Sequence, residues 1–348
     1  MKPYSSNGTL KVAKPVGKVF ALAIIYTLLL VLITEGVVRL AITANFLVEP
    51  GIGTSNADLN IKIPLLDKLV KKTGGVDCIF LGSSMTNDDV DPEVFAQTYA
   101  ELSGRKITCF NFAIARLNGE IAGGLSRILV ERYHPGLLIY GTSARDYSQE
   151  LGNRVLIEDS WFRYKLGKWN AAGWLKDNSM AFRLYLKFLS DLNPDNREYA
   201  IHVRQNTSPY GHFELVKNAT SLEGEITIHE KNLQQADFAG VKRLTNLDGP
   251  DVRVLVMEIP VHEKFLPVYV NSKTEDYYTL FFDPLTKLLN KRGILFIQTI
   301  TGSHFTVSDD GWADMKHLNN KGSARFSTWL AGEIWRFEQA GQLTWGVQ

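Results

Sequence analysis

The sequence predicts an α/β fold built on a doubly wound, mainly parallel sheet of five strands, with one added membrane helix. Five short runs of apolar and β-branched residues occur along the chain, and such runs are typical of strands buried on both faces of a parallel sheet. Segments with helical periodicity separate these runs, which indicates βαβ units. A charge-free stretch near the amino terminus is long enough to span a bilayer.

The composition is that of an ordinary globular protein. The chain has 348 residues, of which 45% are hydrophobic and 22% charged, and its formal net charge is +1. A chain of this length can bury a substantial core. Because the sequence contains no basic block and no repeated aromatic-basic pattern, we expect no nucleic acid among its partners.

The amino terminus differs from everything after it. Residues 1–18 form a basic segment with four lysines, and residues 19–42 are apolar except for Glu35 and Arg39. As a helix, residues 19–38 would span about 30 Å, the thickness of a bilayer core. We interpret them as a single-pass transmembrane anchor, with a cytoplasmic amino terminus and a periplasmic or extracellular domain.

Two alternatives to the anchor remain open. A cleaved signal peptide would need a small-x-small cleavage site, which Ala41-Ile-Thr-Ala44 supplies poorly. A buried helix of a soluble domain is disfavoured by the lysine-rich flank.

The rest of the chain divides into a linker and a folded domain. Residues 43–70 begin with a Pro- and Gly-rich stretch and are predicted as the linker. Residues 71–348 are predicted as one domain that carries an insertion at 147–250. We predict its strands at 76–81, 106–114, 137–146, 251–260 and 293–298, and a helix at 120–133.

Cys78 and Cys109 are the only cysteines and fall in two neighbouring predicted strands. We expect buried, unpaired thiols, because adjacent parallel strands rarely present the geometry of a disulfide. A bridge between the two is the alternative.

Ser84 is the candidate nucleophile. The first predicted strand ends in Gly82-Ser83-Ser84, and Asp91-Pro92-Glu93 then gives the signals of a helix start. At the carboxyl end of a parallel strand, such a turn projects a hydroxyl into the crevice where open α/β sheets bind ligands. Taken alone, the turn is equally explained by two hydroxyls that satisfy local backbone groups.

Asp314 and His317 are the candidates for the remaining catalytic groups. They lie three residues apart, just before the last predicted helix. This spacing lets the carboxylate reach one ring nitrogen while the other nitrogen faces a hydroxyl elsewhere in the fold. We therefore predict Ser84 as nucleophile, His317 as general base and Asp314 as the acid that orients it.

These two blocks resemble those of the SGNH (GDSL-like) hydrolase superfamily. Gly82-Ser83-Ser84 matches the first block and Asp314-x-x-His317-Leu-Asn-x-x-Gly the last, within residues 76–146 and 252–335. This version is similar to membrane-tethered members that act outside the cytoplasm in polysaccharide O-acetylation and teichoic-acid D-alanylation.

The resemblance implies an SGNH/flavodoxin-like fold and a serine-dependent O-acyltransferase or esterase. Its substrate would be an acylated, most simply acetylated, cell-surface or exported polysaccharide. The resemblance also implies a polytopic membrane acyltransferase as a partner and requires no cofactor.

The oxyanion side of the site departs from the superfamily pattern. The second block resembles Phe110–Arg116, with Ala113 where a Gly is expected. The third resembles Gly141–Asp146 and has no Asn, so that Ser143 or Arg145 would have to donate instead, unless Arg145 and Asp146 form only a surface pair. A catalytically degenerate domain that binds glycan or acts as a scaffold is therefore the alternative function, and a lipase or thioesterase is a further one.

Other histidines compete for roles at the same edge of the sheet. His262 and His304 fall on loops there and could bind substrate or a metal, but the acidic residues and histidines around them lack recognisable ligand spacing. We therefore expect no metal. The other histidines are predicted to lie on the surface: His134, His202, His212 and His229.

The insertion at 147–250 has no matching motif. It begins with an aromatic-rich run at 161–174 and continues through a predicted helix at 180–189. We expect it over the carboxyl edge of the sheet, as a lid, a glycan-binding surface or a docking face for a membrane partner. The alternative is that its aromatic residues form a small core of their own.

Overall fold

A computed structural model describes residues 14–147, 154–216, 233, 236–300 and 305–346. Its centre is one sheet of five parallel strands, as the sequence predicts, and their order is β2-β1-β3-β4-β5. The strands are shorter than predicted, because only their central residues pair: β1 Cys78–Leu81, β2 Cys109–Asn111, β3 Leu137–Thr142, β4 Arg253–Glu258 and β5 Leu295–Ile297.

Helices connect the strands and cover the sheet. The chain enters at β1, the second strand of this order, moves outward to the edge strand β2 and returns past β1 to β3, so that β1 and β3 flank the point where the strand order reverses. In open α/β sheets that point is where ligands bind. The helices that precede β4 are α1 Lys14–Thr43, α2 Ala57–Thr73, α3 Ser84–Asp89, α4 Pro92–Ser103, α5 Gly119–Tyr133, α6 Arg154–Glu158, α7 Ser160–Lys165, α8 Ala171–Asn178, α9 Met180–Asp191, α10 Pro194–Asn206 and α11 Ala239–Thr245.

Beyond β4 the helices are short until the last one. They are α12 Leu266–Tyr269, α13 Thr274–Asp276, which continues as a π-helical turn to Phe282, α14 Asp283–Arg292 and α15 Asn320–Gln339. Short 3₁₀ helices follow β3 at Ala144–Tyr147 and precede α15 at Asp309–Gly311.

Helix α1 contains the apolar amino-terminal segment. Residues 17–43 are long and apolar enough to cross a membrane, and only 6% of the most apolar stretch is buried within the protein. This agrees with the predicted anchor by length and composition.

Helix α2 lies where the sequence predicts a linker. Asn56 caps its first turn by accepting from the Leu59 N–H, and Leu59, Ile63 and Leu66 are buried in the core. Pro64 lies in the middle of the helix, where it removes one intrahelical donor and hides the helical pattern. Residues 57–70 of the predicted linker therefore form part of the folded domain.

The two cysteines form a disulfide, which corrects the prediction of unpaired thiols. Cys78 of β1 lies directly opposite Cys109 of β2, and their Cα atoms are 4.6 Å apart. This separation is within the range that a disulfide spans. The parallel register therefore brings together two side chains that the sequence places 31 residues apart.

The insertion spreads over several elements. Helix α9 packs on α1, α10 on α2, and α11 on α5, while residues 207–213 return to the carboxyl edge of the sheet beside α3. Its aromatic residues are divided between two environments: Trp161 and Phe162 are buried, whereas Trp169 and Trp174 are exposed.

Candidate active site

Ser84 stands at the start of α3, directly beyond the carboxyl end of β1. Gly82 makes this close turn possible, since a Cβ there would lie 2.0 Å from Thr86 Oγ1 and 2.7 Å from the Gly141 carbonyl oxygen. Ser84 itself is half-buried. The sequence predicts a loop after Gly82, whereas the structure begins a helix at Ser84.

His317 reaches Ser84 from the opposite end of the chain. The Ser84 Oγ and His317 Nε2 atoms are 3.1 Å apart, and His317 Nδ1 lies 2.7 Å from Asp314 Oδ2. With its Nδ1–H donated to the carboxylate, the imidazole presents an Nε2 lone pair to the hydroxyl. The three residues predicted as a catalytic group are therefore brought together in the order that a serine nucleophile requires.

Local backbone contacts hold Asp314 and His317 in place. Asp314 Oδ1 accepts from the backbone N–H groups of Lys316 and His317, each at 2.8 Å. Burial would raise the pKa of Asp314, but the hydrogen bond and charge of His317, together with the Lys316 N–H, hold it below its ordinary value. Asp314 is therefore ionised and able to stabilise an imidazolium.

The residues after His317 anchor this loop to α15. Asn319 caps the helix by accepting from the N–H groups of Lys321 and Gly322. A Cβ at Gly322 would lie 2.0 Å from the Gly311 carbonyl oxygen, so only a glycine allows this approach. Asn319 and Gly322 of the sequence motif thus fix the loop that carries Asp314 and His317.

A second carboxyl, which sequence reasoning missed, faces His317. Asp88 lies one turn after Ser84 on α3, and its Oδ2 is 3.9 Å from His317 Nε2. Burial raises the pKa of Asp88 to about 7, although the nearby charges of His317 and Lys62 oppose the shift. Asp88 therefore titrates in the range where His317 has to act as a base.

Lys62 of α2 is the cation of this buried cluster, and its side chain is fully buried. Its Nζ donates to Asn87 Oδ1, to the Asn111 carbonyl at 3.0 Å and to the Ala113 carbonyl at 2.6 Å. Burial lowers its pKa to about 7, against the attraction of Asp58 and Asp88. Lys62 thus joins α3 to the loop after β2.

Two further residues fix the backbone of α3. Asn111 Nδ2 donates to the carbonyls of Thr86 and Val90, at 2.8 and 2.7 Å. His212 Nε2 lies 2.9 Å from the Asp88 carbonyl oxygen. His212 is buried rather than on the surface as predicted, because residues 207–213 fold back onto the site.

Asp89 connects α3, the helix that begins at Ser84, to the loop that carries His317. Its side chain is fully buried, and its Oδ1 accepts from the Leu318 N–H at 2.7 Å. Burial raises the pKa of Asp89 well above its ordinary value, so the carboxyl is neutral. It thereby ties α3 directly to the residue next to His317.

The residues predicted to stabilise the oxyanion fit that role less well than Ser84, His317 and Asp314 fit theirs. The Ala113 N–H donates to Asn111 Oδ1 at 3.0 Å, so it is used within its own loop, and the prediction for this residue is not supported. The Ser143 N–H likewise donates to Asp146 Oδ2 at 2.9 Å, and Ser143 is buried. The Arg145 N–H lies 3.4 Å from the Tyr269 hydroxyl.

Asp146 is buried rather than paired with Arg145 on the surface. Burial raises its pKa to about 7, against hydrogen bonds from Ser143 and the Ser83 hydroxyl. It thus links the end of β3 to the turn that carries Ser84.

The remaining histidines do not join Ser84 in the described structure. His262 is buried, lies 3.3 Å from Asp309 Oδ1 and lines a separate cavity of about 370 Å³ with Trp312. His304 and His229 lie outside the described residues. Among the described residues, no group of three or more His, Cys, Asp or Glu side chains could hold a metal ion.

No family model and no curated protein matches the chain. Among solved structures, it is similar to a carbohydrate acetylesterase family member from Sinorhizobium meliloti, with a TM-score of 0.37 and 10% identity over 76% of this chain and 100% of that one. It is also similar to the inhibitor-bound M. smegmatis aryl esterase, with a TM-score of 0.33 and 13% identity over 74% and 98% of the two chains.

Likeness at this level carries no argument about activity. The functional assignment therefore depends on two observations. The order of the sheet, with its reversal between β1 and β3, agrees with the resemblance seen in the motifs. The side chains of Ser84, His317 and Asp314 form a hydrogen-bonded series.

Proposed function

We propose that the protein is an SGNH-type serine hydrolase or O-acyltransferase that handles short acyl esters. The observation that carries the proposal is the hydrogen-bonded series from Ser84 Oγ through the His317 ring to Asp314. These atoms come from two ends of the domain, and an aligned hydroxyl, imidazole and carboxylate is the arrangement that activates a serine.

The reaction proceeds through an acyl-enzyme. Ser84 Oγ attacks the carbonyl carbon of the donor ester while its proton passes to His317 Nε2. The tetrahedral intermediate then breaks the bond to the leaving oxygen, which takes that proton from the imidazolium. The ionised Asp314 stabilises the imidazolium during both transfers.

The second half of the reaction reverses these roles. A water or a sugar hydroxyl gives its proton to His317 Nε2 and attacks the acyl carbon, and the Ser84 oxygen leaves with the proton. Water yields an esterase and a sugar hydroxyl yields an O-acyltransferase. The backbone N–H of Ser84 is one oxyanion donor that the resemblance implies.

A groove with mixed polar and apolar lining supports a carbohydrate substrate. It has a volume of about 340 Å³ and lies between residues 51–61, α9 and α10. Tyr199, Asn196 and Asp191 are among its lining residues. An aromatic ring among amide and charged groups suits a sugar acceptor.

We place the domain outside the cytoplasm on an uncleaved amino-terminal anchor. The lysine-rich start of the sequence and the apolar helix α1 support this orientation. The disulfide between Cys78 and Cys109 supports it too, because disulfides persist in oxidising compartments. The polysaccharide substrate and the polytopic acyltransferase partner are implied by the resemblance of the motifs.

Replacing the nucleophile tests the proposal. Ser84→Ala should abolish labelling by a serine-reactive fluorophosphonate and lower the turnover of an aryl acetate by about 10³-fold or more, since the residual rate would come from binding and oxyanion contacts alone. Ser103→Ala is the matched control, because that hydroxyl lies at the end of α4, where it donates to the Tyr99 carbonyl and accepts from the Arg105 N–H. Undiminished labelling of Ser84→Ala would rule out the mechanism.

A non-catalytic glycan-binding or scaffold subunit is the second candidate. It is favoured by the Ala113 N–H, which is already bonded to Asn111, and by the absence of an Asn from the third block, Gly141–Asp146. Polysaccharide binding by the unmodified protein, without fluorophosphonate labelling at any pH from about 6 to about 9, across which an ordinary imidazole goes from protonated to neutral, would favour this candidate. A preference for long acyl chains in an ester panel would instead favour a lipase or thioesterase.

A further inference from the structure

Exposed apolar side chains are concentrated near the anchor. Outside α1, most of the large hydrophobic residues that are exposed in the described part of the chain lie at 46–48 and between 169 and 201, whereas the sheet and its covering helices expose few, such as Leu102. A contiguous apolar surface of this kind marks a contact with a partner or a membrane.

Helix α9 carries the most regular part of this surface. Tyr185, Phe188, Leu189 and Leu192 recur at helical spacing on one face, and each is between 43% and 65% exposed. The opposite face packs inward: Arg183 is buried, and Leu186 contacts the backbone at Gly53. The helix is therefore amphipathic, with its apolar face turned away from the domain.

The start of α9 is attached to the anchor. Glu35 of α1 accepts hydrogen bonds from the Ser179 hydroxyl at 2.8 Å and from the N–H groups of Met180 and Ala181 at 2.9 and 3.0 Å. Arg39 of α1 donates to the Asn178 carbonyl at 2.7 Å. These contacts fix the first turn of α9 at one level of the anchor helix.

That level corresponds to the outer face of a bilayer. The helix from Gly17 to Glu35 rises about 27 Å, close to the thickness of the hydrocarbon core. The apolar exposed surface continues beyond Glu35 through Leu40, Phe46 and Val48. A carboxylate at this depth requires partners, and the first turn of α9 and Arg39 supply them.

We propose that α9 lies on the outer leaflet of the membrane, with Tyr185, Phe188, Leu189 and Leu192 inserted among the lipid chains. The occupant of this face is lipid because α9 packs on α1 and its first turn is bonded to Glu35 and Arg39, at the end of the apolar stretch of the proposed anchor. Exposed Trp169 and Trp174 precede α9, and Trp and Tyr favour the interface between water and lipid. The inference relies on the proposed membrane anchoring and adds a second attachment.

Depth-dependent quenching in vesicles tests this arrangement. The full chain is reconstituted in vesicles of phosphatidylethanolamine and phosphatidylglycerol that contain nitroxide lipids, and a fluorophore is attached to one introduced cysteine. The two native cysteines are bridged, so the new thiol is unique. The variants are Phe188→Cys, Leu102→Cys as the matched exposed control on α4, and Leu29→Cys to report on the anchor.

We expect strong quenching at positions 29 and 188 and weak quenching at 102, with the label at 188 lying about 5 to 10 Å below the headgroup boundary. Quenching at 29 but not at 188 would overturn the proposal while leaving the anchor intact. Absence of quenching at 29 would overturn the anchor itself. If the label at 188 is shielded from both nitroxide lipid and aqueous iodide, a protein partner or second copy covers α9 and the lipid proposal is wrong.

Discussion

The Asp314 carboxylate stabilises His317 through a contact of 2.7 Å, and its other oxygen organises the loop backbone. An asparagine would keep the backbone contacts, but it would lose the charge and offer the ring the wrong hydrogen-bonding group. We therefore expect Asp314→Asn to lower kcat for aryl acetate hydrolysis by about 10³- to 10⁴-fold with little change in stability.

Asp310→Asn is the control for that variant. Asp310 lies four residues earlier and pairs with Lys321 and Arg325 on the surface. Equal losses of kcat in the two variants, measured alongside thermal unfolding, would mean that the loop and not the carboxylate of Asp314 matters.

Asp88 should shape the pH dependence of the reaction. Asp88 ionises near pH 7, and its carboxylate, 3.9 Å from His317 Nε2, favours the imidazolium over the neutral ring that accepts the Ser84 proton. In Asp88→Asn we expect the acidic limb of the kcat/KM profile to move to lower pH, by about one unit.

The other titratable groups around Asp88 stay in place in that variant. They are His317 and Asp314 on the loop before α15, Lys62 and Asp58 on α2, Asp89 on α3 and Tyr199 on α10. Glu93→Gln, at the exposed start of α4, is the control and should leave the limb unchanged. An acidic limb that stays in place in Asp88→Asn would show that Asp88 only supports the structure.

At the residue scale, sequence reasoning found Ser84, Asp314 and His317 because their spacing carries a chemical meaning. It missed Lys62 because that residue acts through contacts with Asn111 and Ala113, about 50 positions away. A lysine in a predicted linker gives no sign that it is buried, since only the fold shows where its ammonium group lies.

The disulfide is the feature with the clearest energetic consequence at the element scale. It joins β1 to β2 and closes a chain segment of 31 residues. In the chain-entropy model, a loop of that length makes the bridge worth about 3 to 4 kcal/mol of unfolding free energy. The double variant Cys78→Ser with Cys109→Ser should therefore unfold at a lower denaturant concentration.

Unfolding by urea, with and without reductant, measures this effect. Reductant should destabilise the unmodified protein and leave the double variant unchanged, which serves as its own control. If the two proteins unfold at the same urea concentration in the absence of reductant, the bridge contributes nothing to stability.

The elements themselves were predictable to different degrees. The five strands are evident from apolar runs, because parallel strands buried on both faces exclude polar residues. Helix α2 was missed because Pro64 interrupts its pattern, and α3 because Gly82-Ser83-Ser84 resembles a turn. In both cases tertiary packing overrides the local signal: Leu59 and Ile63 bury α2, and Asn111 holds the carbonyls of α3.

On the scale of the whole molecule, α2 and α9 are far apart in sequence, and both are attached to α1. Helix α2 comes after α1 along the chain, whereas α9 packs on α1 and is bonded to its Glu35 and Arg39 side chains. Because α10 packs on α2 and residues 207–213 pack on α3, the insertion connects the anchor to the nucleophile by a second route. No sequence pattern indicated this connection, since it depends on side chains about 145 positions apart.

In the membrane anchor that we propose, the Glu35 contact also does more than hold the domain at the bilayer. Each residue added to an α-helix rotates the rest of that helix by about 100° and shifts it by about 1.5 Å along the axis. One inserted residue between Glu35 and Arg39 would therefore point these two side chains in different directions, and the first turn of α9 could engage only one of them. A foreign membrane helix of equal length and hydrophobicity would hold the domain at the bilayer without setting the direction in which Ser84 faces.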